Sequence, residues 1–165
     1  MSQTPSVSQF LTQVALFKGL SQSECTELEK YLEERLCKDQ ELIFNEGEIS
    51  DGIYVICEGY AEVLRQIKDR MVFINLLGVG EAFGEAALFD HLKRTATLRA
   101  KGATRLLLLK REAFFEFLKK HPASGNSILL EMLRRVFTRL NDTSRELRDQ
   151  RRENLTQDSI DKLFA

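Results

Sequence analysis

From about residue 36 to residue 110 short apolar or β-branched runs alternate with glycines, whereas on either side apolar positions recur at helical spacing. The runs Leu42 to Phe44, Ile53 to Cys57, Ala61 to Leu64, Val72 to Leu77, Thr95 to Ala100 and Arg105 to Leu109 read as strands. Gly47, Gly52, Gly59, Gly78, Gly80, Gly84 and Gly102 separate them as turn residues. Strands this short and regularly spaced must close or double over to hide their edges. The pattern therefore predicts a mainly β fold, an antiparallel β-roll or jelly-roll-like barrel, carried between helices.

Upstream, Ser6 and Gln9 form a capping box ahead of Phe10, Leu11, Val14 and Phe17, which predicts a first helix. Ser21 and Glu24 repeat the device before Cys25, Leu28 and Leu32, which predicts a second. The expected organisation is one domain over residues 1–150: N-terminal helices over 7–34, the roll over 36–110, and C-terminal helices over 111–150. In the last of these, Phe114, Phe117 and Leu118 share a helix face before Pro122 breaks it. Leu129, Leu133, Val136, Leu140, Thr143 and Leu147 then recur in steps of four and three. Such a stripe predicts a long C-terminal helix and suits a two-helix coiled coil, hence a homodimer, although a helix packed on its own roll would use a similar stripe. Residues 151–165 read as a polar tail or a partner-binding helix.

Composition changes this picture little. At 165 residues, 43% hydrophobic and 30% charged, the chain is ordinary globular material. Its formal net charge of −1 gives no overall attraction to nucleic acid or anionic membrane. No signal-peptide pattern opens it and no apolar run has membrane-span length, so a cytoplasmic location is expected. The three cysteines, Cys25, Cys37 and Cys57, lack metal or disulfide spacing and are expected to be reduced. His91 and His121 are the only histidines and stand far apart, and no nucleophile, base and orienting group can be picked out. Neither a catalytic role nor a bound metal or other cofactor is expected.

The chemistry concentrates between Gly80 and Thr97. Gly84 lets a ligand approach the main chain, and Ala86 and Ala87 keep side chains out of the way. Glu85 to Asp90 can form a short helical turn whose first N–H groups lack internal partners. Arg94 offers a planar fork that meets two oxygens of a phosphate at once. Glu85, an acceptor-only carboxylate beside such an anion, needs a donor, and a sugar hydroxyl supplies one. Together these describe a phosphorylated ribose, against the plainer reading of Glu85 and Arg94 as a surface ion pair.

The segment Phe83-Gly84-Glu85-Ala86-Ala87-Leu88, followed by Arg94-Thr95-Ala96, resembles the phosphate-binding cassette of cyclic-nucleotide-binding domains. These domains occur in cyclic-nucleotide-gated channels, cyclic-nucleotide-dependent kinases and catabolite-activator-type regulators, and the resemblance covers about residues 7 to 150. It implies a cyclic mononucleotide ligand, cAMP rather than cGMP on frequency alone. Glu85 would accept from the ribose 2′-hydroxyl and Arg94 would pair with the cyclic phosphate. Gly84, Ala87 and Thr95 would offer main-chain contacts, with Ala96 packed behind. The helix after Pro122 would form a lid, and Arg135, or Arg134 one register step away, would cap the base. Lys93 stands where many relatives carry Pro, and Ala86 where many carry a bulky aliphatic residue.

With only 18 residues after Leu147, no DNA-reading helix-turn-helix is expected beyond the long helix. The Arg-rich stretch from Arg134 to Arg152 reads as a solvated helix flank. The expected function is thus a sensor or regulatory module coupling nucleotide binding to movement of its C-terminal helix, read by an effector protein not identified by sequence. The alternative is a ligand-independent interaction or dimerisation module that keeps the roll.

Overall fold

The computed structural model describes residues 6–88 and 93–164, of which the side chains of 86, 87, 143, 150 and 153–164 are outside the description. It divides into two units, Met1–Leu129 and Leu130–Ala165. In the first, α1 (Val7–Leu11) and α2 (Gln22–Glu29) lead into strands β1 (Leu32–Cys37), β2 (Leu42–Phe44), β3 (Gly52–Ile67), β4 (Arg70–Leu77), β5 (Ala82–Phe83) and β6 (Thr97–Lys110). Then come α3 (Arg111–Lys120) and α4 (Pro122–Phe164), and most of α4 makes up the second unit. Among the described residues no helix is long and apolar enough to cross a membrane.

Both capping boxes form: the hydroxyls of Ser6 and Ser21 accept from the Gln9 and Glu24 amides, and those side chains accept from the cap residues' own N–H. The first helix is shorter than its apolar spacing predicts, because α1 ends at Leu11 and a separate 3-10 turn carries Leu16 and Phe17 into the core. The second ends at Glu29, and residues up to 34 are not helical as expected. Leu32 to Cys37 instead pair antiparallel with Leu109 to Thr104 of β6, whose apolar run needs a neighbour on that side.

The sheet is antiparallel throughout, in the order β1-β6-β3-β4, with β2 also on β6 and β5 also on β3. Two of its strands are longer than the glycines imply. Ile53 to Cys57 and Ala61 to Leu64 are both parts of β3, and Thr97 to Leu109 runs through Gly102 without a break. Gly59 is a bulge rather than a turn. The register between β3 and β6 shifts around it, its φ is +77°, and a Cβ there would collide with the Ala103 carbonyl.

Inside the roll, Ile43, Phe44, Tyr54, Ile56, Phe83, Leu98, Leu106 and Leu108 pack as one cluster with Cys37, Ala61 and Ala100. A second layer holds the helices to the roll: Leu11, Phe17, Leu28, Phe114, Phe117 and Ile128 are fully buried. The Ser124 hydroxyl donates to Glu24 Oε1 at 2.5 Å, tying the first turn of α4 to α2.

Candidate functional site

Arg94 enters the roll from a segment stapled by main-chain bonds. Its N–H donates to the Glu48 carbonyl at 2.8 Å, and its own carbonyl accepts from Gly47 N–H at 2.8 Å. An isolated antiparallel bridge joins Ile49 and Lys93 beside it. These main-chain bonds hold the segment around Lys93 and Arg94 against the Gly47–Ile49 stretch.

The Arg94 side chain is almost wholly buried, at 5% exposure. A charge in that position is costly unless paired. Nη2 donates to Asp51 Oδ1 at 2.7 Å and to the Gly52 carbonyl at 3.1 Å, while Nη1 reaches the Gly84 carbonyl at 3.4 Å. The guanidinium lies over the Phe44 ring, 4.0 Å from its centroid, with Tyr54 at 5.6 Å. Its Nε is buried with no hydrogen-bond partner among the described residues. A buried N–H left in that state is suited to an acceptor from outside the chain.

Gly84 faces this arginine. Its φ of +82° is left-handed, and a Cβ would strike Nη1 of Arg94, so only glycine fits. Glu85, 9% exposed, opens a 3-10 turn through Ala86, Ala87 and Leu88, and Leu88 anchors that turn in the core. Of the expected turn from Glu85 to Asp90, Glu85–Leu88 is formed, and residues 89–92 lie outside the described residues. Glu85 and Arg94 on either side of this loop are both buried rather than on the surface, and Arg94 forms an ion pair with Asp51.

Thr95 is exposed and Ala96 partly buried, both ahead of β6, whose first residue Thr97 accepts from Glu46 N–H at 2.9 Å through its hydroxyl. Arg134 and Arg135 lie on α4 in the second unit, Arg134 exposed and Arg135 partly so. Along that unit Leu133, Val136, Leu140 and Leu147 of the seam are 41–57% exposed, as are Leu130 and Phe137 at 60% and 62%. The Thr143 side chain is outside the description.

Sequence reasoning missed Asp51 and Tyr54. The Tyr54 hydroxyl donates to Asp51 Oδ2 at 2.9 Å, so the carboxylate is held from both sides. Burial, and then the Asp51 charge, push the Tyr54 phenol up to about 12. Asp51 lies 43 residues before Arg94, in a stretch that reads only as a turn.

The family described as the cyclic nucleotide-binding domain matches residues 34–121. The chain is 30% identical over 122 residues to the cyclic AMP receptor protein of Thermus thermophilus, a match covering 73% of this chain and 56% of that protein. It is 33% identical over 114 residues to the cAMP-dependent protein kinase regulatory subunit of Mycosarcoma maydis, covering 66% of this chain and 22% of that one. It thus spans little more than half of the one relative and about a fifth of the other. Among solved structures, the N-terminal domain of a transcriptional regulator from Streptomyces coelicolor superposes with a TM-score of 0.73 at 30% identity, over 81% of this chain and 94% of that one.

Proposed function

Because this chain belongs to the cyclic-nucleotide-binding domain family, we propose that it is a sensor that takes a cyclic mononucleotide at the Gly84–Arg94 site and signals through its C-terminal helix. The observation that supports this most is Arg94: buried, stacked on Phe44, anchored through Nη2, and with Nε unspent. A guanidinium so oriented, with the bare main chain of Gly84 beside it, suits a single phosphodiester. Glu85, buried next to it, would accept from the ribose 2′-hydroxyl. Thr95 and the amides of the Glu85–Leu88 turn would complete the cradle, with Ala86, Ala87 and Ala96 leaving room for it.

Names of the two curated relatives carry cyclic AMP, which favours cAMP over cGMP here. Arg135, or its neighbour Arg134, would cap the base from α4. Movement of that helix would be the output, and signalling requires that one helix position favour the occupied site, since equal affinity for both shifts nothing. The exposed seam from Leu133 to Leu147 would pair two copies. No chemical step is assigned to the module.

The test is a thermal-unfolding series with cAMP, cGMP and 5′-AMP. A cyclic nucleotide at a hundredfold excess over its dissociation constant should add about 2.7 kcal/mol, with cAMP the stronger of the two. No stabilisation by either cyclic nucleotide would leave the roll as a ligand-independent dimerisation module.

A further inference from the structure

Arg94 is held by a residue that itself stands half in water. The Asp51 side chain is 51% exposed, and a carboxylate so open to water gains little from an ion pair alone and keeps several rotamers. Tyr54 is the reverse: 2% exposed, its ring stacked on Phe83 at 5.5 Å with 9° between planes and set against Phe44 at 5.9 Å. Its hydroxyl ends on Asp51 Oδ2, while Oδ1 of the same carboxylate accepts from Arg94 Nη2. A donor rooted in the core thus braces a solvent-exposed acceptor, which in turn braces the buried cation.

We propose that Tyr54 is a positioning residue for the anion site, acting through Asp51 to hold the Arg94 guanidinium over Phe44 with Nε left for the ligand. This rests on the nucleotide reading above and assigns Tyr54 a role besides filling the core. Phenylalanine at this position would keep the stack and the burial, and lose only the tether. The charged groups facing the Tyr54 side chain are Asp51 from the turn before β3, Arg35 from β1 and Arg94 over its ring, and the phenol remains a donor well above neutral pH.

The test is calorimetric titration of cAMP and cGMP into the wild type, Tyr54→Phe, Asp51→Ala and the double variant. Tyr54→Phe should bind about three- to tenfold more weakly, the worth of one hydrogen bond, and should cost nothing further once Asp51→Ala has removed the acceptor. Wild-type affinity in Tyr54→Phe, or the same loss with and without the Asp51 carboxylate, overturns the positioning role while leaving the nucleotide reading intact. A wild type that binds neither nucleotide overturns the nucleotide reading. The positioning role is then decided in the ligand-free protein by NMR of the Arg94 Nε–H, whose exchange with water must quicken in Tyr54→Phe. Should Tyr54→Phe not fold, 3-fluorotyrosine at position 54 serves, since its more acidic phenol must move the alkaline loss of binding, or of Nε–H protection, to lower pH. An unmoved profile overturns the role.

Discussion

Gly84 and Arg94 compete for one small volume: a methyl group on the glycine would stand where the arginine has Nη1. The absence of a side chain at 84 is therefore a condition for the guanidinium to lie as it does. Gly84→Ala adds a left-handed backbone penalty of roughly 1–3 kcal/mol to that collision. The variant should unfold at lower urea and lose cyclic-nucleotide affinity by more than its loss of stability explains. Equal affinity in a calorimetric titration would detach Gly84 from the site.

Arg94→Ala should cost on the order of 2–5 kcal/mol of nucleotide binding, as for removing one partner of a buried charged pair. Arg94→Lys should recover only part, because an ammonium cannot serve Asp51, the Gly52 carbonyl and a phosphate with one planar fork. Calorimetry decides this, and full recovery by Lys would argue against a directed guanidinium.

Glu85→Ala should weaken binding of cAMP by roughly one to two decades, the worth of a hydrogen bond to a charged group. The same variant should bind 2′-deoxy-cAMP about as the wild type does. Competition against a fluorescent nucleotide measures both, and a loss equal for the ribose and deoxyribose forms would remove Glu85 from the sugar.

Alkali should destabilise this fold through the buried Tyr54 and the partly buried Cys57. Burial holds the Cys57 thiol up at about 11 against an ordinary 9.0, and Tyr54 at about 12 against 10.0. In the unfolded chain both ionise at their ordinary values, so the fold favours their protonated forms. Their contribution is complete below pH 9.0 and is lost as pH rises, from 9.0 to about 11 for Cys57 and from 10.0 to about 12 for Tyr54. Urea midpoints should fall across these windows. Cys57→Ala should flatten the first part and Tyr54→Phe the second; a midpoint constant to about pH 11 would contradict both assignments.

The seam on α4 should support self-association. Leu133, Leu140 and Leu147 are each half or more exposed at heptad spacing, and Leu130 and Phe137 widen the stripe. Leu133→Asp with Leu140→Asp should shift the sedimentation coefficient of a dimer to that of a monomer. A wild type already monomeric at high concentration would end the dimer proposal.

The sequence announced the strands wherever β-branched residues ran between glycines, and Leu42 to Phe44 has the predicted bounds. It hid β1, because Glu33, Glu34 and Arg35 give Leu32 to Cys37 the composition of a helix end, and only the pairing with β6 makes it a strand. Gly59 and Gly102 look like turns because sequence cannot distinguish a bulge from a reversal when both need positive φ. Around the site, Gly84, Glu85 and Arg94 were legible from their spacing within one short segment. Asp51 and Tyr54 were not: they come from the start of β3 and the turn before it, and no local pattern links them to an arginine some forty residues later.

Every described contact to Arg94 comes from residues 44–54 or from Gly84, whereas the reversal between β3 and β4 at Lys68 and Asp69 is exposed and makes none of them. That hairpin tip is consequently a place where the chain can be opened. A fluorescent protein spliced between Lys68 and Asp69, or new termini created there by circular permutation, would leave both walls of the pocket covalently whole, offering a route to an optical reporter built on this fold.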